Sequence, residues 1–188
     1  MHISKTVKSI LSIVVVIVVM SIIFTHIDIR TIVENVGVTK GYLLAVVIAL
    51  SGGISVFTTA SFFSTIGLLS IGGLNPFVLG LVTAPALAVG DYFFYYLGKK
   101  GKMIAPLAFL KKLELFEKWL SKRPSYTILF FVFIYAALTP LPSELLMISL
   151  AFLNYPFRKA LPVIVLGHIT IVTWLGYVAI ATGPSLGF

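Results

Sequence analysis

The chain has no cysteine, only three histidines, and charged residues make up only 11% of its 188 positions. The absence of cysteine excludes a disulfide framework and a thiolate metal site. The sequence contains no HExxH motif and no nucleophile elbow, and three scattered histidines do not make a metal-ligand cluster. We therefore expect no metal, no cofactor and no catalytic site, and a membrane enzyme such as a lipid phosphatase is the least favoured function.

Hydrophobic residues, by contrast, make up 59% of the chain, and the mean hydropathy is +1.09. A composition this apolar is typical of an integral membrane protein rather than of a soluble domain with one core. The net charge of +8 comes from lysines and arginines that flank apolar segments, as expected of charges that set topology and contact lipid headgroups. We therefore predict an all-α integral membrane protein with no nucleic-acid partner.

Apolar runs alternate with short basic stretches along the chain. We predict an uncleaved first transmembrane helix, an amphipathic interfacial segment, a first hairpin, a second span, a basic amphipathic linker, a second hairpin and a last span. Their ranges are 7–24, 28–40, 41–73, 76–98, 99–124, 125–153 and 156–181. The first helix lacks small residues at a cleavage site, which favours a retained helix. The chain thus divides into an N-terminal unit, 1–40, and a membrane domain, 41–188.

The distribution of positive charge predicts the topology, because short cytoplasmic loops collect lysine and arginine. The N-terminus with Lys5 and Lys8, the 99–124 linker with eight of the fourteen basic residues, and Arg158 with Lys159 should all be cytoplasmic. The two remaining apolar runs must then each enter and leave the bilayer on one side. Two full crossings need about 40 residues, and both of these runs are shorter than that. We predict two re-entrant helical hairpins, one from each face, beside about three transmembrane helices.

A repeated motif supports a duplication. Leu74-Asn75-Pro76-Phe77 is echoed by Leu153-Asn154-Tyr155-Pro156-Phe157, and Tyr96-Leu97-Gly98 is echoed by Trp174-Leu175-Gly176, at nearly the same spacing along the chain. Since the first unit begins outside and the second inside, the predicted halves, about 41–98 and 125–182, form an inverted repeat. Transporters with this arrangement place their site near the bilayer midplane, between broken helices.

Glu144 is the most anomalous residue of the sequence. The formal charges nearest to it along the chain are Arg123 and Arg158, and both lie far beyond the three or four positions over which helical side chains meet. No neighbour in sequence can therefore neutralise a carboxylate that costs several kcal/mol at membrane depth. Pro140 and Pro142 interrupt any helix that passes this point. Because irregular backbone survives in a bilayer only where protein buries it or where it lines a wet cavity, we predict that Glu144 lies at the tip of the second hairpin and faces such a cavity.

Two interpretations of this turn remain open. In the first, Glu144, Ser143 and Pro142 contact a proton or a substrate. In the second, Ser143 caps the outgoing arm of the hairpin, and the positive end of the helix dipole stabilises the carboxylate of Glu144. The two interpretations are compatible.

Three further residues are candidates for the same site. Asp91 lies within an apolar run and either contributes to the site, pairs with Lys99, or lies at the membrane interface near the basic end. His168 lies within the last span. It is part of a proton relay, since histidine ordinarily titrates near neutral pH, or it is a hydrogen-bonded core residue. Arg158, with Lys159, either holds a lipid phosphate or anchors the chain at the cytoplasmic face.

Several of these motifs resemble one known family. They are the segment from Gly90-Asp91-Tyr92 to Gly98-Lys99-Lys100-Gly101, the turn Pro142-Ser143-Glu144, and the segments Tyr155-Pro156-Phe157-Arg158 and Gly167-His168. Over roughly residues 41–181 the chain is similar to the DedA family, also called the VTT or SNARE-associated Golgi protein family. It departs from the family pattern in three places. Many members carry an acidic residue in the first hairpin and an arginine beside the second proline turn, and this chain has neither. His168 stands where an arginine or a lysine is common.

The resemblance implies two re-entrant helices that meet in the membrane and a role in moving lipids across it. For a prokaryotic member it implies a multi-pass protein of the cell membrane, a flippase or scramblase for a polyprenyl-phosphate carrier or a phospholipid, with or without proton coupling. The implied partners are phosphate-bearing lipids and protons, and the sequence leaves a homo-oligomer open. The alternative function is a proton- or ion-coupled transporter of a small solute, with Glu144, Asp91 and His168 as a relay.

Overall fold

The computed structural model describes residues 29–52, 56–103, 111, 114, 115, 118, 123–139 and 143–182. The regular secondary structure of these residues is entirely helical, as predicted. The helices are α1 Ile29–Gly52, α2 Val56–Ile71, α3 Pro76–Lys102, α4 Ser125–Leu138, α5 Ser143–Phe152 and α6 Phe157–Thr182. The predicted first transmembrane helix, 7–24, and most of the basic linker lie outside the described residues.

Helices α3 and α6 are each long and apolar enough to cross a membrane. They contain 27 and 26 residues, which corresponds to about 40 Å each at 1.5 Å per residue. Helix α3 begins at Pro76, where the missing N–H leaves no hydrogen bond unmade. The side chain of Asn75 caps it by accepting hydrogen bonds from the N–H groups of Phe77 and Val78. Both helices match spans predicted from the sequence.

The first part of the described chain differs from the prediction. One helix, α1, runs without interruption from Ile29 to Gly52, so the predicted interfacial segment 28–40 is not separate from the first arm of the hairpin. The physical reason is that residues 29–41 contain no proline, and isolated glycines cost a helix only about 1 kcal/mol each. The helix ends at Gly52, within the range of the predicted first hairpin, 41–73.

Helices α3 and α6 form an antiparallel pair. Pro76, at the start of α3, lies against Gly176 near the end of α6. The ring of Tyr95, near the end of α3, lies 5.3 Å from that of Phe157, the first residue of α6. Helices α1 and α5 pack on α3, and helices α2 and α4 pack on α6. Helices α1 and α2 also pack on each other, whereas α4 and α5 barely touch.

Two of these helix contacts depend on glycine. A Cβ atom on Gly98 would lie 2.7 Å from the Cβ of Ala151, where α3 meets α5. A Cβ atom on Gly167 would lie 2.5 Å from the Cβ of Ala136, where α6 meets α4. Small residues at both contacts let the helix backbones approach closely, as is common between helices in membranes.

Helices α2 and α5 end in the same backbone motif. Gly73 and Asn154 follow them with φ angles of 98° and 54°. The N–H of the next residue in each turn, Leu74 or Tyr155, donates to the carbonyl oxygen five residues earlier, at 3.0 and 2.9 Å. This is a Schellman motif, which ends a helix and redirects the chain. The following long helix, α3 or α6, therefore starts at the same point after each turn.

The predicted interruption before Glu144 is present, since α4 ends at Leu138 and α5 begins at Ser143. The two helices contain 14 and 10 residues, or about 21 and 15 Å, each less than the hydrocarbon thickness of about 30 Å. Arg123, just before α4, and Leu153, just after α5, line the same cavity. Pro140 and Pro142 lie outside the described residues.

Candidate functional site

Asp91 and His168 meet in the interior of the bundle, between α3 and α6. Asp91 is 1% exposed and His168 is 7% exposed, and Nε2 of His168 lies 2.6 Å from Oδ2 of Asp91. Because a carboxylate can only accept hydrogen bonds, an ionised Asp91 receives the N–H of His168. The carboxylate pairs with this histidine rather than with Lys99. The ammonium of Lys99 lies over the ring of Tyr95, 5.3 Å from its centroid.

Glu144 lies in the first turn of α5 and is 5% exposed. Neither of its carboxylate oxygens has a hydrogen-bond partner within the described part of the chain, and neither has Oδ1 of Asp91. The two carboxylates lie within electrostatic range of each other, and the phenol of Tyr135 lies within range of Glu144. Buried carboxylate oxygens without a partner are costly. A bound proton, or a hydrogen-bond donor from outside the described residues, would stabilise these oxygens.

Local packing explains how α4 and α6 come together beside this site. Gly167 precedes His168 and lies against Ala136, so the end of α4 is held close to the buried histidine. The indole N–H of Trp174 donates to the carbonyl oxygen of Ala137 at 2.8 Å. The last carbonyls of a helix lack partners within the helix, and this bond satisfies one of them where α4 breaks off.

The remaining predicted site residues lie elsewhere or at the edge of the site. Ser143 is the first residue of α5 and is half-buried, whereas Pro142 lies outside the described residues. Arg158 is exposed in the first turn of α6. It precedes His168 by ten residues, or about 15 Å along the helix axis. The structure therefore brings Asp91 and His168 into contact and places Glu144 within electrostatic range of Asp91, whereas Arg158 lies at the other end of this stretch of α6.

Tyr135 and Trp174 were not predicted from the sequence as parts of this region. Tyr135 carries the one hydroxyl group between residues 128 and 138, nine residues before Glu144. That hydroxyl within an apolar stretch was the signal available in the sequence. Trp174 gave no comparable signal, because a tryptophan in an apolar helix ordinarily indicates packing or an interfacial position.

The chemistry available to this arrangement is proton exchange and the binding of a polar group. The described residues contain no group of three or more His, Cys, Asp or Glu side chains that could hold a metal ion. A hydrogen-bonded carboxylate–imidazole pair with a second carboxylate in electrostatic range can accept and release protons. Its buried oxygens can also accept hydrogen bonds from a donor that reaches them.

No protein-family model, curated protein or solved structure matches this chain. The function is therefore argued below from the geometry of the site and from the chemistry of its side chains.

Proposed function

We propose that this protein spans a membrane and moves a phosphate-bearing lipid, either a polyprenyl-phosphate carrier or a phospholipid, between the leaflets. The observation that carries the proposal is the buried Asp91–His168 pair with Glu144 beside it, packed among apolar helices. Ionisable residues inside a membrane are rare because they are costly, and they mark substrate pathways and proton relays. Three buried carboxylate oxygens without a partner among the described residues fit that role.

The exterior of the bundle supports a location in a membrane. The most apolar window of α6 is only 33% buried, whereas the core helix of a soluble protein is mostly buried. Large apolar side chains are exposed on several helices, among them Leu43, Val89, Phe131, Leu145 and Leu166. A soluble monomer rarely exposes so much apolar surface, and lipid chains would cover it.

A correspondence between helices supports an inverted repeat. The shift in sequence from Pro76, which starts α3, to Phe157, which starts α6, equals the shift from Ile71, which ends α2, to Phe152, which ends α5. The helix pairings correspond as well. The packing of α3 on α5 matches that of α6 on α2, and the packing of α1 on α3 matches that of α4 on α6. Because α3 and α6 are antiparallel, the rotation that superposes the first half on the second turns it end over end. An inverted repeat has this relation between its halves.

Individual contacts follow the same correspondence. Gly98 of α3 lies against Ile148 of α5. The same shift in sequence relates these positions to Ala179 of α6 and Gly67 of α2, which are also in contact. The Asn-Pro motifs have a slightly shorter spacing than this shift because proline stands at different positions in the two turns. Tyr96-Leu97-Gly98 and Trp174-Leu175-Gly176 lie within α3 and α6 and are not at positions that this shift relates.

The two halves differ in polarity at the site. The positions that correspond to Asp91 and His168 hold Val172 and Leu87, which are both buried in one apolar cluster. Phe63 corresponds to Glu144 of α5 and packs against the same cluster. The fold thus offers two related positions, and polar residues occupy one of them. A single asymmetric site suits a protein that binds one headgroup at a time.

The second hairpin favours a lipid over a soluble solute. Helices α4 and α5 diverge, since α4 packs on α6 and α5 packs on α3. A gap between two short arms lets the apolar chains of a lipid stay in the bilayer while the headgroup approaches the polar site. The buried Asp91–His168 hydrogen bond by itself would also suit a proton-coupled solute transporter, which is the second candidate.

Lipid passage in liposomes tests the proposal. The purified protein is reconstituted with a fluorescent phospholipid, and the fraction reached by a membrane-impermeant quencher is followed in time. Glu144→Gln is expected to slow passage at least tenfold, which corresponds to about 1.4 kcal/mol in the barrier. The matched control is Glu114→Gln, because Glu114 is exposed and paired with Lys118 at 2.9 Å.

Equal rates in the two variants would remove Glu144 from the mechanism. Proton flux that needs no lipid, without passage of the labelled phospholipid, would favour the solute transporter instead.

A further inference from the structure

A cavity of about 580 Å³ lies between α4 and α5. Arg123 lines it at one end and Tyr135 lines it further along α4. Between them the walls are mostly apolar and include Ile128, Val132 and Leu146. Tyr135 also lies within electrostatic range of Glu144, so the inner end of the cavity approaches the buried carboxylates.

We propose that this cavity binds one hydrocarbon chain of an anionic, phosphate-bearing lipid, with the phosphate at Arg123 and the chain end near Tyr135. The cavity is then a docking site that holds the lipid in one leaflet. The inference rests on the proposed function only in treating this lipid as the transported molecule.

The length of the cavity fits a lipid chain. Arg123 and Tyr135 are twelve residues apart, or about 18 Å along a helix, and one leaflet contributes about 15 Å of hydrocarbon. The volume lies within the range of about 300 to 1,000 Å³ that is usual for ligand sites.

The charge at its end supplies the preference for an anion. Arginine binds phosphate through two parallel N–H donors, which gives both strength and orientation. The ammonium of Lys102, which donates to the carbonyl oxygen of Phe152 at 2.6 Å, lies at the same end of the bundle. Basic residues grouped at one membrane surface attract anionic headgroups.

The contrast between the two hairpins also points to a specific role for the cavity. In the first hairpin, α1 and α2 pack on each other over an extended contact, whereas α4 and α5 barely touch. The other helix pairings correspond between the halves. Within the described residues, the gap between the two arms is therefore a feature of the second hairpin, which carries Glu144.

Photolabelling of the full chain in nanodiscs tests the docking site. The probe is phosphatidylglycerol with a diazirine at the end of one acyl chain, and labelled peptides are mapped by mass spectrometry. Labelling is expected on the segments around Tyr135 and Leu146. Ser149→Trp should remove most of it, because an indole placed on the cavity wall fills the space. The matched control is Leu145→Trp, since Leu145 is 61% exposed and does not line the cavity.

A second pair of variants tests the anion preference. Diacylglycerol with the same diazirine serves as the probe without phosphate. The phosphatidylglycerol probe should label about tenfold more than diacylglycerol, as expected for one charged hydrogen bond. Arg123→Gln should abolish the difference, whereas Lys111→Gln, a charge change outside the cavity, should preserve it. Thr127→Trp fills the same cavity from α4 and is a second blocking variant beside Ser149→Trp. If one of the two does not fold, the other still tests whether filling the cavity removes the labelling.

Equal labelling by the two probes in the unmodified protein would overturn the proposal. Undiminished labelling in both tryptophan variants that line the cavity, or a cross-link from the cavity to a segment of this chain or of a second copy, would do the same. Cavity labelling without lipid passage in liposomes would contradict the proposed function while leaving the docking site in place. Lipid passage without cavity labelling would contradict the docking site while leaving the proposed function in place.

Discussion

Replacing Asp91 and His168 together by apolar residues is expected to preserve the fold, whereas replacing His168 alone is not. The proposed repeat supplies the substitutions. In it, Val172 and Leu87 correspond to Asp91 and His168, and both are buried in an apolar cluster. We therefore expect this backbone to accommodate the double variant Asp91→Val with His168→Leu.

The expected magnitudes follow from burial. His168→Leu alone leaves the carboxylate of Asp91, which is 1% exposed, without its hydrogen-bond partner at 2.6 Å. An uncompensated buried charge costs about 3 to 5 kcal/mol. Asp91→Val alone leaves the imidazole of His168 with one hydrogen bond fewer, at about 1 to 3 kcal/mol. Exchange of both partners for apolar residues of similar volume is neutral or stabilising by about 1 to 4 kcal/mol. The double variant should therefore be at least about 3 kcal/mol more stable than His168→Leu.

The assay is unfolding in mixed micelles as the fraction of sodium dodecyl sulfate rises, followed by tryptophan fluorescence for the unmodified protein, both single variants and the double variant. The same four proteins enter the liposome assay, in which the double variant should be folded and inactive. A double variant that is less stable than either single variant would refute the reasoning. The hydrogen bond between Asp91 and His168 would then stabilise the packing of α3 on α6 instead of lowering the stability of the protein.

Two further predictions concern helix packing and the end of α4. Gly98→Ala should lower the free energy of unfolding by about 1 to 3 kcal/mol, because the added Cβ would lie 2.7 Å from that of Ala151. Gly101→Ala is the control, since its Cβ would lie 3.8 Å from its nearest neighbour. An equal loss in the free energy of unfolding in both variants would contradict the packing argument. Trp174→Phe leaves the carbonyl of Ala137 without its indole donor and should cost about 1 to 3 kcal/mol, measured in the same micelles. Unchanged stability would mean that another donor replaces the indole.

Much of the helix pattern was predictable because its signals are local. Pro76 with Asn75 marks the start of α3, and α6 begins one residue after Pro156. The interruption before Glu144 followed from two prolines that cannot donate hydrogen bonds. The continuity of α1 was not predictable in the same way. Charged residues before Lys40 suggested an interface, but charge alone does not end a helix.

The pairing at the site depended on information that the sequence does not display. Asp91 and His168 were both candidates because ionisable residues are costly in apolar runs. Their contact joins residues 77 positions apart and is fixed by how α3 crosses α6. Close approach at Gly167 sets part of that packing. Arg158 shares a helix with His168, yet ten residues of helical rise separate the two by about 15 Å.

The proposed repeat bears on why the polar residues are there. In that repeat, the packing of α3 on α5 corresponds to that of α6 on α2. Leu87 and Val172, at the related positions, are buried in an apolar cluster, so the packing does not need a buried carboxylate–imidazole pair there. We therefore expect Asp91 and His168 to cost stability. A protein retains such groups where their charge or their protons are used, and the site beside Glu144 is where that use should be sought.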